Sequence, residues 1–450
     1  MNKKKWTLLI VCIVLVFGYI KLFHKTYSNN AVAQSADCIV AIDVKRITNT
    51  IIWNIITTPS QWKAGNIFKR SSGTGEVSWK DMVKMPDYIL TFHVNNQPAN
   101  RWYVTLAIKD EKDFAKGLQQ YHFEKLNSNE YASKDLGLQF FKTGNTILVT
   151  NAVDNNNYLA QVADELFIKK AYTAKEKLKK AIDAKSHVAV YISPNSFLQQ
   201  AAIITANFDK QQITINCTIS PNKQYNFTQH NFSYTDSSLC SLGFTQPSYA
   251  VINLLSAADK INISKAISFN IDSFFLQSNK NYSLDVAAIK PRTDSAITYS
   301  YDDNFNAVEK TVVNNILEPA YNFTVTGDSI SNIYNYFLRS NKIEPTDTNQ
   351  LFTAMPLVKS YCNIKSEKQL NITAANYTAL PTDKNINAVF FLHLLLAKIP
   401  AALLKYFPDA VIKAIANIEQ VQLQATKKEQ QLVINCIIQK KKNDWPIIKL

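Results

Sequence analysis

A nine-residue motif occurs twice in this chain and constrains its fold more than any other feature. Gln211-Gln-Ile-Thr-Ile-Asn-Cys-Thr-Ile219 and Gln430-Gln-Leu-Val-Ile-Asn-Cys-Ile-Ile438 agree at six of nine positions. Apolar residues alternate in both copies: Ile213, Ile215, Cys217 and Ile219 in one, Leu432, Ile434, Cys436 and Ile438 in the other. A period of two places each set on one face of a strand. Weaker matches fall in the same order. Asp37–Asp43 parallels Ser248–Leu254, Asp110–Lys116 parallels Asp302–Val308, and His187–Ile192 parallels Asn387–Leu392. Colinear self-similarity predicts two related halves, 37–220 and 247–450. The polar stretch Pro221–Gln246 between them reads as a linker or an extra hairpin.

Within the halves, strand patterns come in pairs. Tyr88–Val94 and Trp102–Lys109 flank a turn-rich Asn95–Asn100, and Leu138–Phe141 and Thr146–Thr150 flank Lys142-Thr-Gly-Asn. Helical patterns lie between: Ile47, Ile51, Ile52 and Ile55 share a face, and Asp110 starts a helix carrying Phe114 and Leu118. Tyr158–Ala184 reads as one long helix without a counterpart in the second half, and Asp328–Asn341 as a helix inserted there. The fold class expected is α+β: an N-terminal transmembrane helix, then two related halves with largely antiparallel sheets and interspersed helices.

The transmembrane reading rests on Trp6–Phe23. Lys3, Lys4 and Lys5 precede fifteen uncharged residues, Trp6–Ile20, and Lys21 is followed by Leu22 and Phe23. As a helix this segment is roughly 27 Å long, enough to cross a hydrocarbon core. The expectation is a single-pass signal-anchor in the inner membrane, residues 1–25, with a cytoplasmic N-terminus and the lipid bilayer as its partner. Residues 26–36 are then a tether, and the bulk of the chain is extracytoplasmic, in the periplasm. The small-x-small run Ala31-Val32-Ala33 keeps a cleaved signal peptide open as the other reading.

The formal charge is +14, of which the first 25 residues carry five. The rest is a lysine-rich surface without the dense basic clusters and interleaved aromatics that nucleic acid requires. Five cysteines follow Cys12, an odd number with wide spacing and no C-x-x-C, which supports neither a disulfide framework nor a zinc site. Cys217 and Cys436 read as buried hydrophobes. His93 and His393 sit in apolar strand patterns, and no two histidines have metal-ligand spacing. Ser60-Gln-Trp-Lys63, Lys142-Thr-Gly144 and Ser193-Pro-Asn195 imitate the motifs of serine penicillin-binding enzymes but in the wrong order. No catalytic set, cofactor or metal is expected.

A short basic start, a single apolar segment and a repeated α+β body resemble uncharacterised single-pass membrane-anchored bacterial envelope proteins. That resemblance implies a location and transfers no functional residue. The function expected is a non-enzymatic interaction or assembly module with another envelope protein as partner. The alternative is a binder of lipid or another apolar ligand, and a serine hydrolase ranks last. For the apolar ligand or partner helix the candidate groove is Leu394, Leu395, Leu403, Leu404 and Phe407, within the most apolar run outside Trp6–Phe23. Burial of Ala388–His393 as a strand, with a helix behind it, is the other reading of that run.

Overall fold

The computed structural model describes residues 25–441, apart from 58–76, 154–155, 248, 254, 268, 276–279, 302–304, 347–349, 356–357 and 383. The chain divides after Ser220 into two compact units. The first is organised around β1 (Ala36–Asp43), β2 (Tyr88–Val94), β3 (Tyr103–Ile108), β4 (Glu124–Lys125), β5 (Glu130–Ser133), β6 (Leu138–Thr143), β7 (Thr146–Thr150), β8 (Val188–Ile192), β9 (Ala202–Phe208) and β10 (Gln212–Ile219). All neighbours are antiparallel, in the order β10-β9-β8-β1-β2-β3-β7-β6-β5-β4. Helix α1 (Val44–Thr57) follows β1, and α2 (Glu111–Gln120) follows β3. Asp110 caps α2 by accepting from the Lys112 and Asp113 backbone N–H groups at 2.8 and 3.0 Å.

The core of this unit gathers Ile39, Ala41, Leu90, Phe92, Tyr103 and Leu148 from the sheet against Leu159, Val162, Leu166 and Leu178 from helices. Val32 and Ala33 belong to it too, both 0% exposed. What reads in sequence as a tether is therefore packed chain: Gln34 N–H donates to Ala171 O at 3.1 Å, and Thr173 N–H to Val32 O at 3.0 Å. Those bonds also explain why 158–184 is not one helix. Helix α3 (Tyr158–Ala163) runs into a π turn, Asp164–Ile168, and α4 (Lys175–Asp183) starts afresh. Between them residues 171–173 bond to the N-terminal stretch, which takes the groups an unbroken helix would need.

The second unit is organised around β11 (Cys240–Thr245), β12 (Lys280–Tyr301), β13 (Ala307–Gly327), β14 (Ile343–Pro345), β15 (Gln350–Phe352), β16 (Ser360–Ser366), β17 (Gln369–Ala374), β18 (Phe390–Leu395), β19 (Ile418–Lys428) and β20 (Gln431–Lys440). Their antiparallel order is β20-β19-β18-β11-β12-β13-β17-β16-β15-β14. This is the order of the first unit with ten added to every label. Its core joins Tyr282, Tyr321, Val325, Cys362, Leu370 and Ile372 to Ile330, Ile333 and Phe337 of helix α5 (Ile330–Arg339). A separate two-stranded ladder pairs His230–Tyr234 with Lys384–Ala388.

Ladder registers agree between the units as well. Cys38 faces Ile192 as Cys240 faces Leu394. Tyr191 faces Ile203 as His393 faces Gln422, and Ile204 faces Cys217 as Leu423 faces Cys436. Three sequence assignments change accordingly. The counterpart of β1 is β11, inside the stretch read as a linker, whereas Tyr249–Ile252 is helical. Helix α5 stands between β13 and β14 as α2 stands between β3 and β4, so it is no insertion. The match of His187 to Asn387 shifts by two residues.

The fold class itself is corrected. The structure is 45% strand and 24% helix, a mostly antiparallel sheet in which helix is the minor part. No described helix is long and apolar enough to cross a membrane, so the expected N-terminal transmembrane helix is not supported. Trp6–Phe23 lies outside the described residues.

Candidate functional site

The five residues expected to form an apolar groove do not converge. Leu394 and Leu395 are adjacent in β18, so their side chains leave opposite faces of the strand. Leu394 sits in the ladder opposite Cys240 and Val421. Leu403 and Leu404 are half-buried in the short helix Ala401–Leu404, and Phe407 is exposed beyond it. Of the serine-enzyme mimics, Lys142 is in strand β6, Gly144 is in the β6–β7 turn and Ser193 follows β8, while Ser60 and Lys63 lie outside the described residues. His93 Nδ1 meets Asp37 Oδ1 at 2.7 Å, and His393 is buried with Nε2 3.2 Å from Gln420 Oε1. Burial pushes every described thiol up: Cys38 to about 11, Cys362 to about 12, and Cys217, Cys240 and Cys436 in the same direction. Protonated thiols are poor nucleophiles.

Clefts of ligand size lie in the first unit. One, of 630 Å³, is walled by Tyr27, Met85, Leu90, Leu106, Leu166 and Phe167. At its rim Asp87 accepts from the Thr26 backbone N–H at 2.7 Å and pairs with Lys45 at 3.1 Å. The second, of 620 Å³, runs along α1. Arg46, Asn49, Thr50, Trp53, Asn54 and Thr57 line it, spaced as one helical stripe. Across from that stripe stand His187, Phe208 and Lys210, with Lys25 at one end.

The interior of this second cleft is ordered by charge. Asp43, 2% exposed, pairs with Lys25 and lies 3.7 Å from Arg46 Nε. His187 is held neutral by burial, which pushes its pKa down. Its Nδ1 lies 3.2 Å from the Phe208 N–H and 3.4 Å from Asn207 Oδ1, and its Nε2 lies 2.7 Å from Thr50 Oγ1. Trp53 stands 66% exposed on the stripe.

A third feature belongs to the second unit. The β12–β13 hairpin is paired along its whole length, from Lys280–Gly327 to Tyr301–Ala307. Only its base joins the sheet: β11 reaches Val286, and β17 covers Asn322–Thr326. Beyond Ala288 and Ala320 these strands pair only with each other among the described residues. At about 3.3 Å per residue the free ribbon is roughly 40 Å long. Its distal part exposes Ile297 (62%), Tyr299 (62%) and Val313 (60%), and at its tip Phe305 (85%) has φ +59°.

No family model matches the chain, and no curated protein does. Among solved structures, one described as "Structure of crystal form III of TP0453" is similar at a TM-score of 0.29 and 9% identity. The match covers 54% of this chain and 87% of that one.

Proposed function

We propose that this protein is a non-enzymatic assembly module whose distal ribbon pairs edge to edge with a second copy. The observation that carries this reading is the outer edge Ser295–Tyr301. It has seven consecutive residues without a charge, whereas Lys290, Arg292 and Pro291 guard the same strand nearer its base. An unguarded edge offers its backbone N–H and C=O groups to another strand. The opposite edge carries Glu309 and Lys310, so the uncharged strand suits an isologous contact better. Two such edges meeting antiparallel about Thr298 set Ile297 opposite Tyr299 of the second copy, an aromatic–β-branched pair.

Sedimentation velocity on the full chain tests this. The expected result is a dimer at micromolar concentration and a monomer for the double variant Ile297→Lys/Tyr299→Lys, which sets like charges opposite each other. Both side chains are exposed, so folding should change by no more than about 0.5 kcal/mol. A monomeric wild type, or a double variant that stays dimeric, removes the reading.

The 630 Å³ cleft supports a second reading, the binding of an apolar ligand. Ala107 lines that cleft from an exposed position, and Ala107→Trp would fill it. A fluorescent fatty-acid analogue should brighten with wild type and not with Ala107→Trp. No brightening with wild type sinks this alternative.

A further inference from the structure

We infer that the α1 cleft binds an acidic oligosaccharide, with Trp53 stacking on a sugar ring and Arg46 holding a carboxylate. The argument begins with the helix face. A stripe at i, i+3, i+4, i+7, i+8 and i+11 that is turned toward the protein is ordinarily apolar, because it packs on a core. Here the stripe reads Arg46, Asn49, Thr50, Trp53, Asn54 and Thr57, and it faces a 620 Å³ cleft. Guanidinium, amide and hydroxyl groups in one row match a ligand rich in hydroxyls and carboxylates.

Charge selects an acidic ligand. Among the described residues, the cations facing the cleft are Lys25, Arg46 and Lys210, and the anions are Asp209 at the rim and Asp43 beneath. His187 is neutral, so one positive charge is left over. Arg46 Nε is buried and has no hydrogen-bond partner, since Asp43 is 3.7 Å away. The Arg46 side chain keeps 35% of its surface exposed, so a carboxylate entering the cleft meets the outer Nη groups of the guanidinium, whose planar fork favours bidentate pairing. The Thr50 hydroxyl, 2.7 Å from His187 Nε2, stands in the same row of polar groups.

The indole selects a ligand with a flat face. Trp53 keeps 66% of its surface exposed beside these polar groups, where it can cover the C–H face of a pyranose. Length follows from the helix. Arg46 and Trp53 are seven residues apart, about 10 Å along the axis. One sugar ring does not cover that span, so the ligand has at least two.

The probe is a tetramer of galacturonic acid, with the uncharged galactose tetramer as its control. Calorimetric titration of the full chain should show binding of the acidic tetramer and at least about tenfold weaker binding of the neutral one. Trp53→Ala should weaken the acidic tetramer by at least about tenfold, the effect of losing one stacking contact. Lys210→Gln, at the exposed rim and remote from Asp43, should weaken it less and reduce its dependence on salt. An unfolded Trp53→Ala would leave Lys210→Gln and the acidic-to-neutral ratio to decide. Equal binding of the two tetramers, no binding of either, or tighter binding of a nucleoside monophosphate than of the acidic tetramer overturns the inference.

Discussion

A chain that begins at Gln34 is expected to lose most of the stability of its first unit, whereas one that begins at Lys25 keeps it. The residues between supply two things. Val32 and Ala33 are fully buried in the core, and burying a valine side chain contributes about 1.5–3 kcal/mol. Lys25 is the closer of the two cations paired with buried Asp43, and removing one partner of a buried pair costs about 3–5 kcal/mol. Arg46 stays behind and offsets part of that. A net loss above about 3 kcal/mol is expected, read as a fall in the urea midpoint of the first unit. Equal midpoints for the two chains would mean that the N-terminal stretch lies on the core without stabilising it. The same packing bears on the small-x-small run. Ala31-Val32-Ala33 meets the sequence rule for peptidase cleavage, yet in the folded chain it is covered.

The second large effect is expected at Gly243. A Cβ there would stand 2.2 Å from Phe391 Cε1 and 2.8 Å from Phe232 Cδ1, both ring atoms of packed side chains. Gly243→Ala should therefore destabilise the second unit by about 1–3 kcal/mol or more. The first unit shows how the clash is relieved. Its matching rung places Ala41 opposite Ala189, where the second unit has Gly243 opposite Phe391. One rung divides its volume evenly and the other gives nearly all of it to one side. Phe391→Ala alone should cost about 3–5 kcal/mol, because it leaves a cavity. In that background Gly243→Ala should cost far less than in wild type. Chemical denaturation of the four chains of this cycle reads the coupling. A Gly243→Ala cost that is the same in both backgrounds would show that Phe391 is not what the new methyl meets.

Much of the sheet was legible because strands with one buried face alternate apolar and polar residues. Strands β10 and β20 show that period, and Ala388–His393 announces β18 by its compact apolar run. Strand β11 escaped because Cys240-Ser-Leu-Gly-Phe-Thr245 sits in an Asn- and Ser-rich stretch and carries a glycine where its partner strand needs room. The break within 158–184 was invisible for another reason. Its cause is a pairing with residues more than a hundred positions earlier, and local periodicity cannot report that. Apolar content misled in the groove: Leu394 and Leu395 are neighbours in sequence but point to opposite faces. The polar stripe on α1 was in view throughout, since Arg46, Asn49, Thr50 and Trp53 have helical spacing. Ile47, Ile51 and Ile55 mark the helix by its apolar face, whereas polar residues at the same spacing on the other face are the ordinary pattern of a solvated surface.

The same ten-strand order occurs twice, yet the hairpin near its middle differs greatly between the units. Strands β2 and β3 are seven and six residues long, and β12 and β13 are twenty-two and twenty-one. Each unit has its own core, and the added length of β12 and β13 runs past the strands that flank them. Growth there costs the sheet nothing, because no neighbouring strand has to lengthen with it. A chain that holds one plan in duplicate can specialise its copies separately, keeping this hairpin short in one while the other grows an arm.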